Sequence, residues 1–271
     1  MRSYAMNASL NPLMKAIDIS MYQRHPGESW WRRVFADGWE LAIVGSWHGI
    51  SANPDAERNL LEAKAAGFRI ATYVALNAGS GRTAVRNGRQ ACGRAWHGLV
   101  FVAIDCETDG ITAPIISEAI DEVKRDGLRP IIYTAHWWWN GHFGDPDGFR
   151  HMPLWSAAYD LDPTLALSPA YGGWTDAELI GKQYDGSTED RHPMLHGVEV
   201  DKNTFDRNFV EEDDMGRIEE LRAEVKQTRA DLERVITAVG KEIVRRDDDL
   251  KKQIDTGIAH LDARVKALEG S

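Results

Sequence analysis

Eight short apolar segments, spaced through the first 204 residues, are the feature that most limits how this chain can fold. Each has five to nine residues, the length of a buried strand. They are Ala16–Ser20, Leu41–Trp47, Arg69–Leu76, Leu99–Glu107, Arg129–Ala135, Pro153–Tyr159, Leu179–Tyr184 and Val198–Thr204. Amphipathic stretches that end at glycine separate the earlier ones, such as Asp55–Ala66 and Ile115–Arg125. This alternation predicts an α/β fold, a TIM-like (β/α) barrel.

The later connections of this barrel differ from the earlier ones. The segments after Tyr159 and Tyr184 contain proline and glycine and show little helical period. We therefore expect a barrel with incomplete helices after its later strands. The alternative, an open doubly wound sheet, is less favoured because no glycine-rich nucleotide turn follows the first segment.

The composition changes sharply near residue 210. All ten tryptophans and all ten prolines precede it, and no Phe, Trp, Tyr or Pro occurs from Val210 to Ser271. Apolar residues then recur at steps of three and four, with an interruption around Arg245–Asp249. They are Ile218, Leu221, Val225, Leu232, Val235, Val239, Leu250, Ile254, Ile258, Leu261, Val265 and Leu268. This seam predicts a C-terminal α-helical coiled-coil tail.

The seam and the strand segments together divide the chain into three parts. We expect an N-terminal extension over residues 1–14, the barrel over 15–210 and the helical tail over 211–271. Because so polar a helix cannot bury its apolar stripe alone, the tail is expected to form a homo-oligomer through residues 217–268. A helix folded back on the barrel is the alternative.

Charge and composition disfavour several classes of protein. The chain has 42 acidic and 32 basic side chains, a net charge of −10, and no block of Lys or Arg, so nucleic-acid binding is not expected. The sequence has no window of 18 apolar residues, so no membrane span is expected. Met1–Leu13 lacks the cationic start and apolar run of a signal peptide.

No residue pattern predicts a metal or a cofactor. The cysteines, Cys92 and Cys106, are too few for a thiolate zinc site. His192 and His196 have Pro193 between them, which opposes the helical spacing that zinc proteases use. The segment Gly79–Arg82 lacks the Lys-Ser/Thr ending of a phosphate-binding loop.

Acidic residues end several of the predicted strands. In the fourth segment, Asp105 and Glu107 flank Cys106, so the two acids share one face of the strand with their Cα atoms ~6.6 Å apart. Like charges this close raise one pKa, as a general acid at neutral pH requires. A helix cap by these acids is the alternative reading. The first strand ends similarly, as Ile17-Asp18-Ile19-Ser20, and the eighth ends as Val198-Glu199-Val200-Asp201. Either acid alone is read as a core-edge acid bonded to backbone amides, but three strands that deliver acids to the same end of the barrel favour catalysis.

A set of short motifs in fixed order extends this pattern. The motifs are Ile17–Gln23, Thr72-Tyr73, Ala103–Glu107, Pro130–Thr134, Leu154–Tyr159, Lys182–Asp185 and Val200–Phe205. With them, the chain from about Lys15 to Phe209 resembles the family 25 glycoside hydrolases, the Chalaropsis-type lysozymes. Members of that family cleave peptidoglycan between N-acetylmuramic acid and N-acetylglucosamine.

The resemblance implies a role for each acid. Glu107 would protonate the leaving glycosidic oxygen, and Asp105 would orient the substrate N-acetyl group or stabilise developing positive charge. Asp18 and Asp201 would complete a four-carboxylate cluster. The substrate acetamido group would act as nucleophile, and no cofactor would be needed.

Aromatic and amide side chains are the expected substrate-binding groups. The resemblance places Tyr73, Tyr133, Trp155 and Gln183 in the groove, and Tyr159 closes the motif of the sixth strand. The loop His136–Gly141 holds three consecutive tryptophans, which cannot all enter a core. At least one, Trp137 or Trp138, is therefore expected to form a platform for the apolar face of a sugar.

Two segments depart from the family pattern. Where members carry a basic-x-Thr-Glu-Gly type of segment, this chain has Gly45–Gly49, and the usual Tyr-His-Phe is Tyr73–Ala75.

The leading hypothesis is a muramidase that binds peptidoglycan glycan strands and acts on the bacterial cell wall, as a phage-encoded or virion-associated lysin. The alternative is a glycan-binding or virion structural module on a coiled-coil stalk.

Overall fold

The computed structural model describes residues 13–269, with the side chains of residues 13–211, 225–243 and 245–259. Within these residues the chain forms ten strands and six α-helices. The strands are β1 (Leu13–Ile19), β2 (Leu41–His48), β3 (Arg69–Ala75), β4 (Val102–Asp105), β5 (Pro130–Ala135), β6 (Leu154–Ala157), β7 (Leu179–Asp185), β8 (Met194–Leu195), β9 (Val198–Glu199) and β10 (Asp201–Asp206). The helices are α1 (Glu28–Ala36), α2 (Ala56–Ala66), α3 (Gly81–Cys92), α4 (Ala113–Arg125), α5 (His136–Phe143) and α6 (Arg207–Glu269).

Eight of the strands close into a barrel in the order β1-β10-β7-β6-β5-β4-β3-β2. Strands β1 to β7 are parallel to one another, and β10, which lies between β1 and β7, is antiparallel to both. The predicted TIM-like barrel is therefore confirmed as a closed barrel of mixed strand direction. Residues 1–12 of the extension predicted over residues 1–14 lie outside the described residues, as does most of the segment assessed as a signal peptide. Leu13 and Met14 belong to β1.

The eighth predicted strand differs from the observed one. Val198–Glu199 pairs with Met194–Leu195 in a separate two-stranded sheet, and the barrel strand begins only at Asp201. No α-helix lies between β7 and β10 in the described chain, so nothing carries the chain back to the far end of the barrel. A strand that starts at the end where its predecessor finished must run antiparallel to it.

The helices follow the sequence pattern in the first half of the barrel and give way to loops in the second. Helices α2 and α4 match the predicted amphipathic stretches, and α2 ends at Gly67, whose φ of 113° suits glycine. Residues 158–178, between β6 and β7, contain no α-helix, as expected for a barrel with incomplete helices. The predicted loop His136–Gly141 was wrong, because these residues form most of α5.

Alternation along the strands separates two apolar cores. Outward-facing residues such as Ile104 and Cys106 pack with Ile116 and Val123 of α4. Inward-facing side chains fill the barrel itself, and they are Ala16, Leu41, Ile43, Ala71, Phe101, Ala103, Ile131, Tyr133, Trp155, Ile180 and Phe205. Because Asp105 follows Ala103 by two residues, it continues the inward face up to the barrel mouth.

Most of the predicted tail forms a second unit. Contacts divide the chain into compact units Met1–Asp214 and Met215–Ser271. The helical prediction for the tail agrees with α6, whereas its pairing remains a prediction. The side chains of Ile218, Leu221, Leu261, Val265 and Leu268, five members of the predicted seam, lie outside the described ones. No helix among the described residues has the length and apolar character needed to cross a bilayer.

We predict that Gly181→Ala destabilises the barrel. A Cβ atom at Gly181 would lie 2.5 Å from the Phe205 ring inside the barrel. Overpacking of this kind costs about 1–3 kcal/mol in free energy of unfolding. Gly141→Ala in α5 is the control, because its Cβ meets no atom within 4 Å. Thermal unfolding of both variants checks this, and equal midpoints would contradict the predicted overpacking.

Candidate active site

Two acids lie opposite one another where β1 meets β10. The register pairs Asp18 with Asp201, so both side chains occupy the same end of the barrel. Asp18 precedes the last residue of β1, and Asp201 is the first residue of β10. Because β10 runs in the reverse direction, its start lies beside the ends of the parallel strands. Asp18 and Asp201 are therefore close together, as predicted, but β10 begins at the mouth of the barrel, where the prediction had the eighth strand end.

The second pair of acids lies at the end of β4. Asp105 pairs in register with Ala75 of β3 and Tyr133 of β5, and it accepts a hydrogen bond from the Glu107 backbone N–H at 3.0 Å. Glu107 is partly buried, and its Oε1 atom has no hydrogen-bond partner. The alternative reading of these acids as a helix cap is wrong, because Thr112 is the N-cap residue of α4.

Two side-chain amides hold Asp18 in place. Gln183 and Asn203 donate to its Oδ2 atom at 2.8 and 2.7 Å, and Gln183 also donates to Asp201 Oδ2 at 3.2 Å. Each amide is itself oriented by an aromatic donor, Tyr133 Oη to Gln183 Oε1 at 2.7 Å and Trp155 Nε1 to Asn203 Oδ1 at 2.9 Å. Because an indole N–H can only donate, it fixes which end of Asn203 faces Asp18.

Burial raises the pKa of all four carboxyls. Burial, then repulsion by Asp201, raises the pKa of Asp18 to about 8, and the two amide hydrogen bonds only partly oppose this. Burial and the Asp105 charge raise the pKa of Glu107 to about 8 against a backbone hydrogen bond from Ala135. Burial also raises the pKa of Asp105 and of Asp201 to about 6. Near neutral pH the site therefore holds both protonated and ionised carboxyls.

Tyr73 lies among these acids. Burial, and then the charges of Asp18, Asp105 and Asp201, raise the pKa of its phenol well above the ordinary value. Its ring occupies the space beside Gly45, where a Cβ atom would lie 2.3 Å from Tyr73 Cζ. Gly45 thus makes room for a predicted substrate-binding side chain.

The three consecutive tryptophans take three different environments. Trp137 is 50% exposed, Trp138 is partly buried and stacks on His142, and Trp139 is fully buried. The expectation that at least one tryptophan would be exposed is confirmed. Tyr159 lies 5.6 Å from Trp137 between ring centroids and adopts a positive φ of 50°. A Cβ atom at Gly186 would lie 2.3 Å from the Tyr159 ring, so glycine is required for this placement.

Three of the predicted substrate-binding residues lie deeper than expected. Trp155, Gln183 and Tyr133 are 1%, 2% and 8% exposed, and the Tyr133 and Trp155 rings pack with centroids 4.4 Å apart. Gln183 donates directly to Asp18 and Asp201, and Tyr133 and Trp155 donate to the amides of Gln183 and Asn203. Such contacts suit positioning of the carboxylates.

Sequence reasoning missed three further residues of the site. Asn203 lies two residues after Asp201 and so shares its face of β10, a signal that strand alternation provides. Ser187 donates to Asp201 Oδ1 from its backbone N–H at 2.9 Å and to Glu199 from its hydroxyl at 2.5 Å. Ser187 and Glu199 lie in the connection between β7 and β10, and no period in the sequence marks them.

Open space adjoins two of the acids, Asp18 and Asp201. A cavity of about 290 Å³ is lined by Asp18, Ile19, Ser20, Tyr22, Gln23, Tyr73, Ser187, Glu199 and Asp201. A smaller cavity of about 140 Å³ borders Trp137 and Lys182. Carboxyls of divided protonation state beside a cavity and an exposed aromatic ring are typical of the active sites of glycoside hydrolases.

Comparisons with known proteins agree with this class of site. The sequence model of Glycosyl hydrolases family 25 matches residues 17–188, and the chain belongs to that family. It is similar to the probable GH family 25 lysozyme 3 of Dictyostelium discoideum, at 26% identity over 176 residues, 60% of this chain and 35% of that protein. The chain therefore spans about a third of the length of this relative.

Two solved structures share the fold. The muramidase from Acremonium alcalophilum matches with a TM-score of 0.56 and 21% identity, over 73% of this chain and 98% of that one. The CTP1L endolysin matches with a TM-score of 0.57 and 19% identity, over 74% of this chain and 69% of that one. At these identities the likeness concerns the barrel.

We predict that Asp18→Asn stabilises the protein at pH 8. The raised pKa means that the folded state holds a proton that the unfolded chain releases above about pH 4, so stability falls as pH rises toward 8. Since each pKa unit corresponds to 1.36 kcal/mol, and the new amide keeps part of the burial cost, we expect a gain of about 2 kcal/mol. Urea unfolding at pH 5 and pH 8 measures it.

The control for this prediction is Asp109→Asn, because the Asp109 side chain is 86% exposed. We expect the Asp109 variant to follow the parent at both pH values, whereas the Asp18 variant gains more at pH 8 than at pH 5. An Asp18 variant that loses stability at pH 8 would show that the carboxylate is stabilised in the folded state.

Proposed function

We propose that this chain is a peptidoglycan hydrolase, a 1,4-β-N-acetylmuramidase that cleaves the bond between N-acetylmuramic acid and N-acetylglucosamine. The observation that carries the proposal is Glu107, a partly buried acid with an unpartnered oxygen and a pKa raised to about 8 beside the more acidic Asp105. Membership of the family and likeness to a protein named as a muramidase support it.

Glu107 acts as the general acid. Its proton passes to the glycosidic oxygen as the bond from that oxygen to the anomeric carbon breaks. The carbonyl oxygen of the substrate acetamido group forms the new bond to the anomeric carbon, giving a cyclic oxazolinium intermediate. Water then opens this intermediate, and the Glu107 carboxylate takes the proton that the water releases.

Asp105 supplies the negative charge that this reaction needs. Its pKa of about 6 leaves it ionised at neutral pH, where it stabilises positive charge on the oxazolinium ring and orients the acetamido group. Its hydrogen bond from the Glu107 backbone fixes the two carboxyls relative to one another. Asp18 and Asp201 position the sugar.

Aromatic groups bind the glycan strand. Trp137 and Tyr159 present ring faces near the mouth, and Tyr73 borders the cavity beside Asp18 and Asp201. Sugar C–H faces pack on such rings, and hydroxyl and amide groups satisfy the sugar hydroxyls. Trp155, Gln183 and Tyr133 act through the acids that they position.

The substrate chemistry indicates where the enzyme works. A muramidase acts on the bacterial cell wall, and we propose that this chain is a lysin that is phage-encoded or carried on a virion. The likeness of its barrel to the CTP1L endolysin supports this assignment.

We predict that Glu107→Gln removes hydrolysis while leaving glycan binding intact. Loss of a general acid lowers kcat by about 10²–10⁴-fold. Release of reducing ends from purified peptidoglycan measures turnover, and isothermal titration with glycan fragments measures binding. Asp109→Asn, an exposed acid two residues along the chain, is the control and should retain activity.

The same assays separate the proposal from its alternative. If the parent protein binds glycan without releasing reducing ends, the barrel is a glycan-binding module and not an enzyme. If the parent is active and Glu107→Gln matches it, Glu107 is not the general acid.

We predict a bell-shaped pH dependence of kcat/KM. Activity requires ionised Asp105 and protonated Glu107, so it rises as pH passes about 6 and falls as pH passes about 8. Reducing-end release from pH 4 to 10 measures both limbs. An activity that still increases above pH 9 would contradict the role of Glu107 as the acid.

Asp105→Asn tests the assignment of the two limbs. The Asp105 charge is the second cause of the raised Glu107 pKa, after burial. The substitution should therefore remove the rising limb and move the falling limb to lower pH, on a reduced maximum. Asp109→Asn should leave both limbs in place.

A further inference from the structure

The described part of α6 carries an uncovered apolar stripe. Nine large apolar side chains between residues 225 and 259 are 52% to 67% exposed. They are Val225, Leu232, Val235, Ile236, Val239, Ile243, Leu250, Ile254 and Ile258. An isolated polar helix gains nothing from such a stripe, so a surface must cover it.

Eight of these nine side chains follow a spacing of eleven residues, and Val235 lies outside it. Leu232, Ile243 and Ile254 are eleven apart, and so are Val239 and Leu250. Val225 and Ile236 begin a third row, which continues through Asp247 to Ile258. In the sequence the first two rows extend to Leu221, Val265 and Leu261. We call these three rows the eleven-residue seam.

The eleven-residue period accounts for the break in the heptad-like pattern. A heptad carried on from Leu232 and Val239 would place Arg246 and Gln253 in the seam. The eleven-residue period instead selects Ile243, Leu250 and Ile254 and runs through Arg245–Asp249, with Asp247 as its polar member there. An eleven-residue repeat has 3.67 residues per turn and gives a right-handed supercoil.

A second copy of this helix is the partner that fits. Side chains interlock along a seam of this length only if the facing helix has the same period. In the described chain outside α6, the longest helix is α4, with 13 residues. Residues 225–259 carry eight basic and seven acidic side chains, so two copies of this segment do not repel one another through net charge.

We propose that α6 pairs in parallel and in register with α6 of a second copy, as a right-handed coiled coil along the eleven-residue seam. Thr228 lies eleven residues before Val239 and is a second polar residue of the seam. In the proposed register Thr228 and Asp247 each face their own counterparts, and the whole seam overlaps. Lys251 pairs with Asp247 at 2.9 Å, and this cation offsets the repulsion between the two Asp247 carboxylates.

The first test is the mass of the full chain in solution by analytical ultracentrifugation. We expect twice the monomer mass of 30.4 kDa for the parent and a monomer for the double variant Leu232→Glu with Ile243→Glu. The matched control is Ala230→Glu with Lys241→Gln, which has the same spacing and charge change on the opposite side of the helix. It should remain a dimer.

The second test separates the eleven-residue seam from a heptad. Under mild oxidation Ile254→Cys should give a disulfide-linked dimer and Gln253→Cys should not, and only a parallel, in-register pair brings residue 254 to its counterpart. The native cysteines are buried and do not compete. Near-ultraviolet circular dichroism checks that each variant folds, because all ten tryptophans precede residue 210.

Three results would overturn the proposal. If the parent is a monomer, α6 does not pair with a second copy. If both double variants dissociate, the eleven-residue seam is not what holds the dimer together. If Gln253→Cys cross-links in preference to Ile254→Cys, the helices pair along a heptad seam and not along the eleven-residue seam. Because none of these measurements uses a glycan, their outcome is independent of whether the barrel hydrolyses peptidoglycan.

Discussion

The antiparallel pairing of β10 with β1 is the interaction on which the site depends. It closes the barrel, and its register places Asp201 opposite Asp18. A parallel last strand would have carried Asp201 to the far end unless the chain had first crossed back, and the described connection has no α-helix to do so. The same pairing brings Asn203 onto the inward face, where it donates to Asp18. One choice of strand direction thus builds half of the acid cluster.

The cluster is costly for the fold and useful for chemistry. Four inward-facing carboxyls lose solvation, and their pKa values rise because the neutral form is favoured. The amides of Gln183 and Asn203 recover part of the cost for Asp18, and the aromatic donors Tyr133 and Trp155 keep those amides oriented. Glu107 Oε1 has no such partner. Burial and the Asp105 charge outweigh the backbone hydrogen bond from Ala135, so Glu107 retains its proton, which is the property that protonation of a leaving oxygen requires.

Strand alternation made much of the site predictable, and the limits of that rule mark what was missed. It placed Asp105 inward and Cys106 outward, because Ala103 and Ile104 already show the alternation, and it would also have found Asn203. It could not give the direction of β10, since an antiparallel strand has the same alternation as a parallel one. It could not find Ser187, which acts mainly through its backbone N–H. The depth of Trp155 follows from packing against Tyr133 on the neighbouring strand β5 and against Phe205 on β10, which no local pattern encodes.

The tail poses a different energetic problem. Its ion pairs within the helix, such as Arg229 with Glu233 and Lys251 with Asp247, contribute about 0.2–0.5 kcal/mol each and are screened by salt. They stabilise the helix and do nothing for the apolar side chains, which remain more than half exposed. Step counting shows a break at Arg245–Asp249 because it assumes a repeat of 3.5 residues per turn. At 3.67 residues per turn the rows through Leu232 and Val239 stay on one side of the helix. The seam is therefore continuous, and the supercoil that we propose is right-handed rather than left-handed as in a heptad coiled coil.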